Sequence, residues 1–262
     1  MKVGIITGSG CDAWPDLKDS RSESVATRYG QVPVTVGRVA GIEVVHVSRH
    51  GTGHARLSHQ VQHRANLAAL LECGVQALLS FTVCGAIDPA ATPGSVVVFD
   101  DLHFPTNRFP DGSPCTWFDT PGQEGRGHWI FEGPFSQPLR EAMTEAAVAT
   151  GTPVMERGVY GHVDGPRFNS RSEIAALAAA GVTAVSQTAG PEVVLAGEAE
   201  LPMALVGFVT DFANGVATEP EPVTALLERM ATSGAVFAAL VEYALPRLQI
   251  PPPAGVVHRF DG

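Results

Sequence analysis

Apolar residues along the chain fall into two alternating patterns. Short, nearly unbroken runs occupy residues 3–7 (VGIIT), 43–48 (EVVHVS), 76–83 (QALLSFTV), 95–99 (SVVVF), 159–163, 182–185 and 203–209. A strand covered on both faces reads this way, because neither side meets water. Between these runs the apolar positions recur every three to four residues. One such segment is 59–73, with Val61, Ala65, Leu67, Ala68 and Leu71; others are 134–150, the alanine-rich 170–180, 191–200 and 222–245. That spacing predicts helices. Strands alternating with helices predict an α/β fold around a mostly parallel or mixed sheet. Residues 101–128 break the rhythm. They are rich in Pro, Gly and Asp and predict a long loop, which in a compact domain is usually functional or mobile. There is no internal repeat, and residues 1–262 are expected to form a single domain.

Charge narrows the partners. The formal net charge is −10 and the pI about 5.3. Such a surface repels phosphate backbones, so neither nucleic acid nor an anionic membrane is an expected partner, and any anion site must be built locally. The apolar start of the chain is too short for a signal peptide. No apolar run approaches the ~20 residues of a membrane span. Cys11, Cys73, Cys84 and Cys115 form no CxxC pair and no regular framework. A reducing, cytoplasmic location is expected.

Polar residues cluster where predicted strands end, the crevice in which open α/β sheets bind ligands. Gly8-Ser9-Gly10 can offer backbone N–H groups and a hydroxyl to an anion, although no GxxxxGK[ST] is present. Arg49-His50-Gly51 suits a phosphate or a carboxylate. In Gly165-Pro166-Arg167-Phe168-Asn169 a ring stands beside an amide, a combination that suits a heterocycle. Asp211 follows the run 203–209 and is placed for general acid/base work. Each has an ordinary alternative: a tight turn at Ser9, a charged surface turn at Arg49, a core ring and helix cap at Phe168 and Asn169, a cap at Asp211. His46, His50, His54, His59 and His63 are close in sequence. His50 and His54 are separated by glycines that argue against a helix, and no HExxH accompanies His59 and His63, so a metal site is not expected.

Taken in order, these segments resemble the trimeric purine nucleoside phosphorylase and methylthioadenosine phosphorylase family. The matching pieces are Gly4 to Gly10, Ser48-Arg49-His50-Gly51, Arg64-Ala65-Asn66, Pro93-Gly94-Ser95-Val96-Val97, Gly165-Pro166-Arg167-Phe168, Pro191 to Ala196 and Thr210-Asp211. The resemblance implies a twisted mixed sheet, partly closed into a barrel and surrounded by helices. It also implies a homotrimer with sites at subunit interfaces, and phosphorolysis of a purine nucleoside with inorganic phosphate as co-substrate and no cofactor. By the same resemblance Ser9, Arg49, His50, Thr188 and the Val83 backbone bind phosphate. Asp211 meets N7 and the 6-amino group, Phe168 packs on the purine, and Asn169 faces its N1 edge. Gln187 meets the ribose, Val223 and Leu227 line an apolar 5′ pocket, and His128 of the long loop serves the neighbouring subunit.

Family members for 6-aminopurines carry Asp at the position of Asp211, and there is no His between Asp211 and Leu227 to hold a 5′-hydroxyl. The implied substrate is therefore 5′-methylthioadenosine or a 5′-deoxy analogue. A 6-oxopurine nucleoside phosphorylase, a nucleosidase and an inactive nucleoside-binding protein are the alternatives. Departures from the family pattern are Gln187 for Met, Ala213 for a second Asp, Gln62-His63 for Asn-Tyr and Phe104 for Asp.

Overall fold

The computed structural model describes residues 1–11, 17–219 and 221–260. The chain opens with β1 (Lys2–Thr7), β2 (Lys18–Thr27), β3 (Gly30–Val39), β4 (Ile42–Ser48), α1 (His63–Glu72) and β5 (Ala77–Ala86). Next come β6 (Val96–Val98), β7 (Asp101–His103), β8 (Gly127–Ile130), α2 (Gln137–Ala149), β9 (Val154–Met155) and β10 (Val159–His162). The last third holds α3 (Arg171–Ala179), β11 (Ala184–Ser186), α4 (Gly190–Glu198), β12 (Met203–Phe212), α5 (Val223–Ala244) and β13 (Val256–Arg259).

Eleven strands form one mixed sheet, and β8 pairs with β13 in a separate antiparallel ribbon. Strand β5 organises the sheet. Along one edge it runs parallel to β12, from Leu78 opposite Met203 to Ala86 opposite Phe212. Along the other it changes neighbour: Ala77 to Ser80 pair with β1, whereas Gly85 and Ala86 pair with β11. Among the described residues, Phe81 to Cys84 therefore have no strand partner on that edge. A gap opens there, bounded by the ends of β1 and β4 on one side and by β11 on the other.

Side chains alternate across the central strands, and both faces are covered. Leu78, Met203, Leu205 and Val209 join one core with Leu67, Leu70, Val193 and Leu195 of α1 and α4. Leu79, Phe81, Val206 and Phe208 join a second core with Leu139 and Met143 of α2 and with Phe237 and Leu240 of α5. Burial on both faces is why these strands read as unbroken apolar runs.

Three expectations need correction, and one hairpin is missing from them. The hairpin of β2 and β3 goes unpredicted, because β2 is almost entirely exposed and KDSRSESVAT has no apolar face to read. The segment 101–128 is not one loop: it begins with β7, and His128 lies in β8 opposite His258. The helix expected from residue 59 starts at His63, because Val61 is extended at φ −64, ψ 130, so His59 and His63 do not share a helix. Finally, one segment among the described residues, Val223–Arg247, does reach the length and apolarity of a membrane span, with mean hydropathy 1.3. It buries Phe237, Leu240, Val241 and Ala244 in the second core.

Helix α5 also packs on the turn after β1. Gly10 sits at φ +81, and a Cβ there would fall 2.3 Å from the Met230 carbonyl oxygen. Gly10→Ala is expected to cost about 2 kcal/mol or more, or roughly 4–8 °C in Tm. Thermal unfolding followed by circular dichroism measures this; an unchanged Tm would show that α5 does not hold the turn.

Candidate active site

The gap beside β5 opens into a cavity of about 290 Å³. Nine of the residues proposed from the sequence line it: Ser9, Arg49, His50, Val83, Phe168, Asn169, Gln187, Thr188 and Asp211. They come from the ends of β1, β4, β5, β11 and β12 and from the loop before α3.

The turns after β1 and β4 form one end. Thr7 and Ser48 are paired across these parallel strands, and the Arg49 amide donates to the Thr7 carbonyl at 2.9 Å. Ser9 is thereby brought beside Arg49 and His50. Gly8 makes this possible, since a Cβ there would fall 2.5 Å from Arg49 Nη1 and 3.8 Å from His50 Nε2. Two nitrogens thus converge on one point of bare backbone.

The Arg49 side chain is fully buried. Its Nε donates to Glu192 Oε1 at 2.5 Å, and its Nη2 donates to Glu192 Oε2 at 2.9 Å and Ser80 Oγ at 2.8 Å. Nη1 donates to the Phe81 carbonyl at 2.9 Å. These bonds use four of the five guanidinium hydrogens, so a single Nη1 hydrogen remains for a ligand. Burial works against the Arg49 charge, and Glu192 outweighs it. Phe81 turns its carbonyl to the open edge of β5. Strand alternation turns the Val83 backbone to the same edge.

His50 Nδ1 lies 2.8 Å from the Arg56 carbonyl, which can only accept, so Nδ1 carries the hydrogen. Burial, then the neighbouring Arg49 cation, push the His50 pKa down to about 4. The free protein therefore presents Nε2 to the cavity as a lone pair. The ring stacks on His54, with centroids 4.1 Å apart.

Asp211 lies on the β12 side of β5, away from the β1 edge. Burial, and secondarily the Glu221 charge, raise its pKa, against the Thr210 hydrogen bond and Arg229. Thr210 Oγ1 is 2.7 Å from Asp211 Oδ1 and 3.3 Å from the Cys84 carbonyl oxygen. One hydroxyl thus serves both states: it donates to the carboxylate, or it donates to Cys84 and accepts from a neutral Asp211.

The loop carrying Phe168 and Asn169 is held by the start of α3. Ser170 Oγ caps the Glu173 amide, the Glu173 carboxylate accepts from the Ser170 amide at 2.7 Å, and Arg167 forks onto Glu173. Phe168 stands 67% exposed at the cavity mouth. Asn214 Nδ2 donates to the Asn169 carbonyl at 2.8 Å, which ties the loop after β12 to the loop before α3. Gln187 is tied as well: its Oε1 accepts from Ser58 Oγ at 2.9 Å and its Nε2 donates to the Arg167 carbonyl at 2.9 Å. Its amide braces these loops and keeps one Nε2 hydrogen unused by these two bonds.

Three proposed residues lie outside the cavity wall. Val223 and Leu227 are 70% and 49% exposed, and the α5 residues that line the cavity are Leu226 and Met230. All four fit one broad helical stripe, and the tilt of α5 over Gly10 decides which half faces inward. His128 packs edge-on against Phe260, 5.2 Å between centroids, away from its own chain's cavity. Leu57 and Ser58 are lining residues that the sequence reading missed; His54 and Thr210, neighbours of the quoted site residues, line it as well. Leu57 and Ser58 come from a segment without periodicity, so only the Arg-His-Gly signal nearby pointed to them.

Residues 2–246 match the phosphorylase superfamily. The chain belongs to this superfamily. A 6-oxopurine nucleoside phosphorylase of Pyrococcus furiosus is 33% identical over 252 residues, covering 94% of this chain and 92% of the relative. The S-methyl-5'-thioadenosine phosphorylase of Mycolicibacterium smegmatis is 39% identical over 219 residues, covering 82% and 79%. The solved methylthioadenosine phosphorylase of Schistosoma mansoni, in complex with adenine, superposes with a TM-score of 0.86 at 28% identity, over 94% of this chain and 91% of that one. The superfamily fold thus accounts for nearly the whole chain, and the chain is an enzyme of the nucleoside phosphorylase kind.

Proposed function

We propose that this enzyme cleaves 5′-methylthioadenosine, or a close 5′-deoxy analogue, with inorganic phosphate. The C1′–N9 bond breaks, a phosphate oxygen bonds to C1′ and the purine leaves as adenine. Ser9, His50, Thr188, the Val83 backbone and the remaining Arg49 hydrogen hold the phosphate. Asp211 gives a proton to N7 as negative charge grows on the base. No cofactor enters the reaction. The observation that carries this reading is the two-ended cavity: Arg49 Nη1 and His50 Nε2 converge at one side of β5, and a buried carboxyl with a raised pKa stands on the other. Leu226 and Met230 give the 5′ end an apolar wall.

The deciding experiment incubates the protein with a nucleoside panel, with and without phosphate, and reads released base by chromatography. Full activity in phosphate-free buffer would exclude phosphorolysis in favour of a nucleosidase. A 6-oxopurine substrate is the second reading, supported by relatives such as that of Pyrococcus furiosus. We further propose a cytoplasmic homotrimer in which His128 completes a neighbour's site; an active monomer by light scattering would refute that arrangement.

The His50 geometry makes phosphate binding pH-dependent. With Nδ1 committed to Arg56, Nε2 can meet phosphate only through a shared proton. The complex then holds one proton more than neutral His50 and the phosphate dianion. The KM for phosphate is expected to rise about tenfold per pH unit above the second ionisation of phosphate. A KM independent of pH there would remove His50 from the phosphate site.

A further inference from the structure

Thr210 occupies an irregular place in β12. Val209 pairs with Cys84 and Asp211 with Gly85, so Thr210 is an extra residue, a bulge in a parallel pair. A bulge takes its residue out of the ladder and re-aims the side chains beside it. Thr210 is nonetheless buried, and its carbonyl needs a partner. Arg229 supplies it: Nη1 donates to the Thr210 oxygen at 2.9 Å. The same guanidinium is forked onto Glu221, with Nη2 donating to Oε1 at 2.8 Å and Nη1 pairing with Oε2. Glu221 stands just before α5, whose cap residue Pro222 makes no side-chain cap. The fork thus ties the entry of α5 to its second turn, and that turn to the bulge. Arg229 also directly precedes Met230, which lines the cavity.

We propose that Arg229 is a positioning residue for Asp211, and that with Glu221 it holds the Thr210 bulge so that the carboxyl keeps its place at the purine end. The inference rests on the proposed phosphorolysis, in which Asp211 must be protonated to act. Among the described residues the ionisable groups facing Asp211 are Arg229, Glu221 and, from β5, the Cys84 thiol. Burial keeps that thiol protonated. The two charges act in opposite senses. Arg229 favours the carboxylate, and Glu221 favours the neutral acid. Removing one or the other should therefore move the alkaline limb of activity in opposite directions.

The test measures kcat from about pH 5 to pH 10 for wild type, Glu221→Gln, Arg229→Gln and the double variant, with thermal unfolding as a folding control. The midpoint of the alkaline limb is expected to move down in Glu221→Gln and up in Arg229→Gln, each by about threefold in proton affinity. It should return near the wild-type value in the double variant. Absolute kcat should fall in Arg229→Gln with little change in KM for the nucleoside, and Arg229→Lys should restore the midpoint but only part of kcat. A purely structural role would lower stability and activity without opposite movements of the midpoint. Glu221→Gln alone decides if Arg229→Gln does not fold: an unchanged or raised midpoint overturns the proposal. If wild type releases no base with phosphate, it is the phosphorolysis reading that fails. Titration of the Asp211 carboxyl by carbon-13 NMR, which needs no turnover, then applies the same test, and shifts of one sign in both variants overturn the inference.

Discussion

Arg49→Ala is expected to destabilise the fold by about 3–5 kcal/mol, because it strands a buried carboxylate. Arg49 and Glu192 are both fully enclosed and held by two parallel hydrogen bonds. The Glu192 carboxylate also accepts from Ser80 Oγ at 2.7 Å. Removing the cation leaves that anion without charge compensation between β5 and α4. Domains hold about 5–15 kcal/mol of stability in all, so much of it would be lost. The double replacement Arg49→Met with Glu192→Leu removes both charges at similar volume and should recover most of the loss. It should not recover phosphate-dependent turnover. Thermal and urea unfolding measure the first effect, and the chromatographic assay measures the second. A stable Arg49→Ala protein would mean that Glu192 finds another partner. Loss of activity in Arg49→Ala by itself says little about phosphate; Ser9→Ala and the pH dependence at His50 report on the anion more directly.

The second large effect concerns Asp211. Asp211→Asn is expected to lower kcat about 10²–10⁴-fold, the usual contribution of a positioned acid. It should also change base choice. A carboxyl group can donate to N7 and accept from a 6-amino group. Against a 6-oxo group its second oxygen faces another acceptor. An unpaired buried acceptor costs ~1–3 kcal/mol, roughly 5- to 150-fold in kcat/KM. Adenine nucleosides should therefore exceed hypoxanthine nucleosides by that ratio, and Asp211→Asn should narrow or reverse it. Comparing methylthioadenosine with methylthioinosine in both proteins makes the measurement. Faster cleavage of methylthioinosine by the native enzyme would group it in activity with its 6-oxopurine relatives.

The sheet was legible where burial is two-sided. β1, β4, β5 and β12 read as apolar runs because both their faces are covered, as Leu78 and Leu79 illustrate. β2 was not legible, since an exposed strand held by backbone pairing with β3 needs no apolar pattern. At the site, the strand-end positions Ser9, Arg49, His50 and Asp211 are recognised by residue type and by order along the chain, and Thr188 by the family resemblance. Their partners are not. Glu192 lies 143 residues from Arg49, and Arg229 reaches Thr210 across a bulge that no local pattern announces. Val223 and Leu227 came from the resemblance alone, which places the residues on α5 but not the rotation of this helix about its axis; Leu226 and Met230 of the same stripe line the cavity.

The partner change along β5 divides labour within the sheet. The turns after β1 and β4 lie at one edge of that strand, and the bulge of β12 lies at the other. With phosphate and purine bound as proposed, substitutions that redefine which base is read could accumulate around β12 and the loop before α3 while the turns after β1 and β4 stay untouched. In such an arrangement chemistry is inherited and selectivity is negotiable, which suits relatives of comparable likeness that bear the names of different purine substrates.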